Sequence, residues 1–364
     1  MSGYVLILAD RRDLGADHLV VALAELDADV VRVDPADFPQ RVKLEAHLDP
    51  AVPGGWRIAL RVQGDTLDSG VRADLLTGIY QGRTGPYRLP AELAPAERRW
   101  AHQQAHAGLG GLLAACEPAW LNHPRHVLHA TLLPVQLAAA EASGLTVPPT
   151  VITNITGAAR AFTRGRGAGR GTVLCRAVSP ATLPGQPSEP LHVAPIVIDE
   201  RQLDDSVRAT AHLFQHQPPG TRDARLLVLD GHVLPAEGVS SLPTASSEVT
   251  RGAVRTVARL GLRFAELRFA VGTDGTWTVL SCDPSPDLCE LDEATGPQTV
   301  LAVARALSRS PAGGGTFRPI GQRSPAGVDG ASTPGRAGSR ASAARSRSEV
   351  GKVTIHLPAE QPPQ

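Results

Sequence analysis

The sequence predicts an α+β protein of several subdomains followed by a disordered tail, and three observations carry that prediction. Residues 1–80 alternate short apolar runs with helical spacing. Leu262–Leu280 spells a long antiparallel hairpin, and from about Ser308 the composition shifts to Ser, Gly, Pro, Ala and Arg with almost no large apolar side chains. The first pattern is that of a parallel α/β unit and the second that of an antiparallel sheet. The third lacks the apolar surface that would offset the entropy of ordering a chain.

Taken in order, Tyr4–Leu8 is an apolar strand run and His18–Leu26 shows helical spacing through Leu19, Ala22, Leu23 and Leu26. Val30–Val33 is a second strand, so the start reads as a small parallel pair. Trp56–Val62 and Asp65–Leu67 suggest an antiparallel hairpin through Gly64, with Gly78–Gln81 as a further strand. Pro95–Glu117 predicts a helix weakened at Gly110-Gly111, and Thr131–Ser143 a helix stopped by Gly144. Thr146–Thr153 follows as a strand, Gly157–Phe162 opens a helix, and Arg164–Gly171 reads as a disordered lid loop. Thr172–Val178 is a strand, Arg201–His212 starts a helix-containing section, and Arg225–Leu229 pairs with Val233–Ala236 across Asp230-Gly231.

The last hairpin carries the chemistry. Leu262–Val271 is its first strand, Thr273-Asp274-Gly275 its turn, and Thr276–Leu280 its return strand, closing on Ser281-Cys282-Asp283. Strict alternation puts Trp277, Val279, Ser281 and Asp283 on one face. This segment resembles the carboxy-terminal hairpin of ATP-grasp ligases. There the first strand carries an acid and the second ends in Glu-x-Asn, and these side chains hold the magnesium that bridges the ATP phosphates. In this sequence Arg268 stands at the first acid, Ser281 at the Glu and Asp283 at the Asn. The resemblance therefore implies a metal site mostly lost, with Asp283 its one remaining ligand.

Further motifs narrow the likeness. Ile79–Arg88, Glu97-Arg-Arg-Trp100, Gly108–Gly111, Trp120-Leu-Asn-His-Pro124, Pro134-x-Gln136-Leu137, Gly144–Pro148, Thr150–Asn154, Ala158–Phe162, Asp204–Arg208, Phe214-Gln215, Asp223-Ala-Arg225-Leu226, Ala236-Glu237, Gly261–Phe264 and Asp292–Gly296 follow one another in the order seen in graspetide maturases. Those are ATP-grasp enzymes that crosslink ribosomally made precursor peptides, and the likeness runs from about residue 3 to 308. It implies an α/β domain over 1–125 preceding the ATP-grasp fold, a small ATP-grasp subdomain over 126–210, a large one over 211–308, and a tail over 309–364. The implied reaction is phosphorylation of a peptide Asp or Glu by ATP, followed by attack of a hydroxyl or amine to close an ester or amide ring.

Matched residue by residue, the machinery is incomplete. The family's first phosphate lysine falls on Leu133, which cannot donate to an anion. Its second falls on Arg176, whose fork grips phosphate but is not equivalent to a lysine; an exposed strand arginine is the plain alternative. The acid that follows Phe-Gln at the adenine hinge is His216, beside Gln215. Asp223-x-Arg225 is intact, which makes Arg225 the catalytic candidate and, with Arg176, Gln215 and His216, a nucleotide-binding one; a cross-strand ion pair is its structural alternative. Arg268 is expected to pair with Asp283 and so fill the metal's place, and Asp287, Glu290, Asp292 and Glu293 stand near enough in sequence to supply replacement ligands.

Two readings follow. The first is a degenerate peptide-maturase homologue, a pseudoenzyme that binds a precursor peptide or an active maturase paralogue. The second is a working ATP-dependent ligase on an altered site. ATP and magnesium are the implied cofactors of the second reading; under the first, ATP binding is weakened and magnesium is not expected.

Composition bounds the rest. The chain has 364 residues, 42% hydrophobic content and a formal net charge of zero, which argues against a bulk nucleic-acid binder. No apolar stretch approaches the ~20 residues of a membrane span, and Cys116, Cys175, Cys282 and Cys289 follow no disulfide or metal spacing, so a cytoplasmic protein is expected. Lys43 and Lys352 are the only lysines among 36 basic residues. The histidines at 102, 106, 123, 126 and 129 lack the further ligand that a zinc site needs and read as helix-face or solvated side chains.

Overall fold

The computed structural model describes residues 3–49, 56–62, 71–72, 75–116, 120–165, 172–178, 194–218, 222–234, 245–291 and 296–309. The tail, the segment Asp65–Leu67, Ala236 and most of the lid loop lie outside them.

Tyr4–Leu8 (β1) pairs in parallel with Asp29–Val33 (β2) on one side, as expected, and with the strand Leu76–Gln81 on the other. Alternation along β1 sends Val5 and Ile7 to one face and Leu6 and Leu8 to the other, and both faces are covered. Leu14–Ala24 (α1) lies on the first face. It starts four residues before the apolar spacing does, because the Asp13 carboxylate caps it by accepting from the Ala16 amide. The second face is covered by a separate antiparallel sheet, Val42–Leu48 (β3), Trp56–Val62 (β4) and Val71–Arg72 (β5), in the order β3-β4-β5. Trp56–Val62 thus pairs along its whole length with Val42–Leu48, which the sequence reading left out, and the expected partner Asp65–Leu67 lies outside the described residues.

Leu76–Gln81 is β6, and the chain then crosses to a long helix, Pro95–Ala105 (α2), that passes through a π-helical turn at His106–Gly110 into Gly111–Ala114 (α3). The weak point expected at Gly110-Gly111 is therefore a change of helical pitch and not a break. The helix expected over Thr131–Ser143 forms as Leu133–Glu141 (α5), and a short helix not expected from the sequence, Pro124–Ala130 (α4), precedes it.

Thr150–Thr153 (β7), Thr156–Arg164 (α6), Val173–Arg176 (β8), Ile196–Val197 (β9) and His212–His216 (β10) build a second region, with sheet order β7-β10-β8-β9. The stretch before β10 forms two short 3₁₀ turns, Glu200–Gln202 and Asp205–Ala209, in place of the helix expected there. Arg222–Leu229 (β11), His232–Val233 (β12), Phe264–Val271 (β13) and Trp277–Asp283 (β14) form the last sheet, in the order β12-β11-β13-β14. Its tight turn at Asp230-Gly231 has φ of +45° and +79°, where the second position favours glycine. Ser247–Arg259 (α7) packs with α5 on one face of this sheet through Ala253, Val257 and Ala140.

The final helix, Gly296–Ser308 (α8), returns to the first sheet and packs with α1. It lies so close to β6 that a Cβ on Gly78 would sit 2.6 Å from the Leu307 carbonyl oxygen, so only glycine fits there.

Candidate functional site

One face of the β11–β13–β14 sheet is apolar, and the other carries charges beside the buried Leu227, Leu229 and Phe264. Ala224, Leu226, Val228, Ala265, Leu267, Phe269 and Val271 face α5 and α7 and are buried. Arg225, Glu266 and Arg268 point to the other face.

The register there is specific. Arg225 stands directly across from Arg268, Arg268 across from Ser281, and Glu266 across from Asp283. A bulge falls between Arg268 and Phe269, where Leu280 has no partner in the ladder. The extra residue flips the return strand by one. Trp277 and Val279 therefore join Cys282 on the core side while Ser281 and Asp283 face the charges, so the four do not share one face as strict alternation requires.

Two like charges directly opposite each other in a ladder repel. Glu266 relieves that repulsion: its Oε1 accepts from Arg268 Nε at 2.8 Å, and its Oε2 lies 3.7 Å from Arg225 Nη1. The Glu266 side chain is 6% exposed, whereas Arg268 is 42% and Arg225 53% exposed. A buried carboxylate thus holds two guanidiniums whose outer edges face solvent. Arg268 pairs with Glu266, two residues back on its own strand, and not with Asp283 as the sequence suggested. Glu266 was missed in the sequence although alternation puts it on the face of Arg268; matching position 268 alone hid the acid beside it.

Asp283 keeps its carboxylate next to this pair. Burial pushes its pKa up, Glu266 and Glu290 push the same way, and the hydrogen bond from the Ser285 amide and the charge of Arg268 pull it down. Of the proposed replacement ligands, Asp287 is paired with Arg83 and accepts from the Cys289 amide, and Glu290 lies 3.8 Å from Arg83. Asp292 and Glu293 lie outside the described residues.

On the facing sheet, Arg176 Nη1 donates to Gln215 Oε1 at 2.7 Å and to the Leu280 carbonyl at 3.3 Å. The carbonyl of the bulged residue is thereby satisfied from the other sheet. Gln215 is fixed in turn by donating to Thr150 Oγ1. Burial pulls the pKa of Arg176 down. Arg176 and Gln215 therefore meet, and they meet the β13–β14 hairpin at the residue next to Ser281. His216 is placed elsewhere: its ring packs on Phe162 of α6 at 4.8 Å between centroids, buried, with neither ring nitrogen hydrogen-bonded among the described residues. Leu133, at the place of the first lysine, is buried with Leu137 and Leu213.

The residues do not fit magnesium. A magnesium ion takes near-octahedral oxygens, usually one or two carboxylates plus phosphate. Here Glu266 is committed to two guanidiniums, which leaves Asp283, bonded through one oxygen to the Ser285 amide, as the carboxylate facing it. A dication about 4 Å from a guanidinium meets repulsion on the order of 8 kcal/mol at an effective dielectric constant of ~20. Among the described residues no group of three or more His, Cys, Asp or Glu side chains is gathered as a metal site.

Other motif residues act as braces. Asn122 donates to the Phe264 and Pro284 carbonyls and accepts from the Arg263 and Phe264 amides, tying the first region to both strands of the hairpin. Gln136 does the same for Cys282, accepting from its amide and donating to its carbonyl. His123 Nδ1 accepts from the Arg125 amide at the start of α4, so its Nε2 donates to the Ala114 carbonyl. Beyond Asp283, a cavity of about 360 Å³ opens at the carboxyl ends of β1 and β6. Asp13, Tyr80, Arg83, Leu121, Leu128 and Asp287 are among the residues that line it.

No family model matches this sequence, and no curated protein is significantly similar to it. Solved structures are similar in fold. The macrocyclase MdnC from Microcystis aeruginosa MRC, bound with precursor peptide MdnA, aligns at TM-score 0.70 and 18% identity over 84% of this chain and 99% of that one. A RiPP-associated ATP-grasp ligase from Chryseobacterium gregarium, in complex with ADP and a leader and core peptide, aligns at TM-score 0.71 and 15% identity over 84% and 96%. The ATP-grasp ligase PsnB, complexed with precursor peptide PsnA2 and AMPPNP, aligns at TM-score 0.62 and 19% identity over 85% and 98%. No described helix is long and apolar enough to cross a membrane. The three regions of sheet and helix, with the arginine-bearing hairpin closing the last, have the fold of the ATP-grasp peptide ligases.

Proposed function

We propose that this chain is an ATP-grasp peptide-maturase homologue that has given up metal-dependent ligation and works by binding a ribosomal precursor peptide or a partner maturase. One observation carries the reading: Arg268, which the sequence resemblance puts at a metal-holding acid, is held by Glu266, two residues away. The peptide half of the reading draws on structural neighbours that were captured with precursor peptides. The subdomain limits at 125, 210 and 308 go with it. The braces at Asn122 and Gln136 keep the hairpin seated whether or not chemistry occurs on it.

An active ligase is the second reading, and the facing pair Glu266 and Asp283 is what favours it, as two carboxylates brought into register on the cleft face. Such a ligase would close side-chain ester or amide crosslinks through an acyl phosphate. Against it stands the commitment of Glu266 to Arg225 and Arg268.

Calorimetric titration of ATP with and without magnesium, paired with an assay of ATP turnover, separates the two. The pseudoenzyme reading expects no magnesium-dependent binding or turnover in the natural chain. It expects a gain of magnesium-dependent binding in the triple variant Arg268→Asp, Ser281→Glu, Asp283→Asn. Magnesium-dependent turnover by the natural chain would establish the ligase instead.

A further inference from the structure

We propose that the cavity at the carboxyl ends of β1 and β6 is a recognition pocket for a cationic group on an apolar stem, the side chain of an arginine or lysine in a peptide partner. The proposal rests on the peptide-binding reading and names what in the peptide this part of the molecule holds.

The strand order supplies the place. In the parallel sheet β2-β1-β6 the chain leaves β1 to one side for β2 and returns on the other side as β6. Loops that leave two such neighbours part at their carboxyl ends, and there an open parallel sheet forms a crevice for ligands. Asp13, after β1, and Gly82 and Arg83, after β6, line that crevice, and Val127 and Leu128 of α4 stand at its side. The space of about 360 Å³ is at the small end of ligand pockets. Arg176, Gln215, Arg225 and Arg268 do not line it, so it is separate from the charged face of the last sheet.

Tyr80 gives the cavity an unfilled polar position. It borders the cavity and is 8% exposed, yet its hydroxyl has no hydrogen bond among the described residues. A buried tyrosine hydroxyl ordinarily finds one. Burial first, and then the Asp13 and Asp287 carboxylates, push its pKa up, so the hydroxyl stays neutral and can accept from an N–H donor. Leu121 and Phe264, both buried, offer an apolar floor for a stem. Of the residues that line the cavity only Asp13, Arg83 and Asp287 are charged, two carboxylates against one guanidinium, and Glu290 stands 3.8 Å from Arg83. That balance favours a cation over an anion. Asp287 already takes a guanidinium, accepting from Arg83 Nη2. The Arg83 side chain is 72% exposed, so the pair is screened and weak, and the cation of a ligand can replace it.

The test is calorimetric titration of N-acetyl-arginine methylamide, N-acetyl-lysine methylamide and the uncharged N-acetyl-norleucine methylamide into the full chain, at low and at high salt. The arginine or the lysine probe is expected to bind about ten-fold or more tighter than norleucine, and to weaken as salt is added. Arginine tighter than lysine would identify a planar fork as the ligand, and the reverse a compact ammonium. Tyr80→Phe, which keeps the ring and removes the hydroxyl, is expected to weaken the preferred probe about three-fold or more. Asp287→Asn is expected to weaken it about five-fold or more, and Arg83→Ala, which frees Asp287, to tighten it. Leu128→Arg puts a cation at the cavity on a residue 72% exposed, where folding is not at stake, and is expected to abolish binding. Equal affinities for norleucine and the charged probes, or affinities that Tyr80→Phe and Leu128→Arg leave unchanged, would overturn the proposal. Failure of every probe to bind would overturn it as well. The lost-metal reading would still stand then, because magnesium-dependent turnover decides it and this cavity does not.

Discussion

The two faces of the β13–β14 hairpin are made from the same two strands, of eight and seven residues, and obey different rules. The face toward α5 and α7 is closed by Ala265, Leu267, Phe269, Val271, Trp277, Val279 and Cys282, and every one of them is buried. The face toward the cleft carries Glu266, Arg268, Ser281 and Asp283, three of them ionisable and all within two rungs of the ladder. The hairpin is held by the first face and by Phe264 on the second, so the charged positions between can change without loss of the fold. That separation lets the hairpin fold form with whatever charges the cleft face carries.

The contrast can be broken most severely from the core side. Phe269→Ala empties a fully buried position that also meets Trp277 edge-on at 5.3 Å. It is expected to cost about 3–5 kcal/mol in denaturant unfolding. Next come the braces. Gln136→Ala leaves both main-chain groups of Cys282 without their partner and strips one from Ala130. About 2–4 kcal/mol is expected from the same measurement. A loss below about 0.5 kcal/mol would mean that the hairpin is seated by apolar contact alone.

The cleft face is expected to respond more weakly. Glu266→Gln keeps the shape and removes the charge that separates Arg225 from Arg268. Because both guanidiniums are about half exposed, the loss in stability should be only about 1 kcal/mol. It should shrink as salt is added, since screening softens the repulsion left behind. A loss insensitive to salt would show that Glu266 matters for packing and not for charge.

The same division decides what could be read from sequence. The hairpin was visible because its core face repeats at period two and Gly275, at φ +81°, supplies the turn. The bulge was not, since nothing about Leu280 as a residue type distinguishes it from its neighbours. Its consequence, the flip that separates Trp277 and Val279 from Ser281 and Asp283, followed from packing. The strand Val42–Leu48 alternates apolar Val42, Leu44 and Ala46 with Lys43, Glu45 and His47, a signal present but passed over. The helix Ser247–Arg259 is likewise announced by Ser246 as its cap and by Val249, Ala253 and Val257 on one face. His212–His216, buried along most of its length and ending in histidine, offered no alternation to detect. Within the site, motif position gave only the expectation that ligands are absent. Only the register told that Glu266 had taken up the arginine.

The mildest change is the most diagnostic of charge on the cleft face. Asp283 has its pKa raised in the fold, chiefly by burial, so ionising it costs more in the native protein than in the unfolded chain. The sign follows from linkage: that cost is absent at low pH, where the group is protonated in both states, and it grows as the pH rises through the folded pKa. Asp283→Asn keeps an oxygen to accept from the Ser285 amide and removes the charge. The variant should therefore unfold at a higher temperature than the natural chain at neutral pH, and the difference should vanish below the ordinary carboxylate range. An Asn variant less stable at neutral pH would mean that attraction to Arg268 outweighs burial at Asp283, and that the two form the ion pair the sequence first suggested.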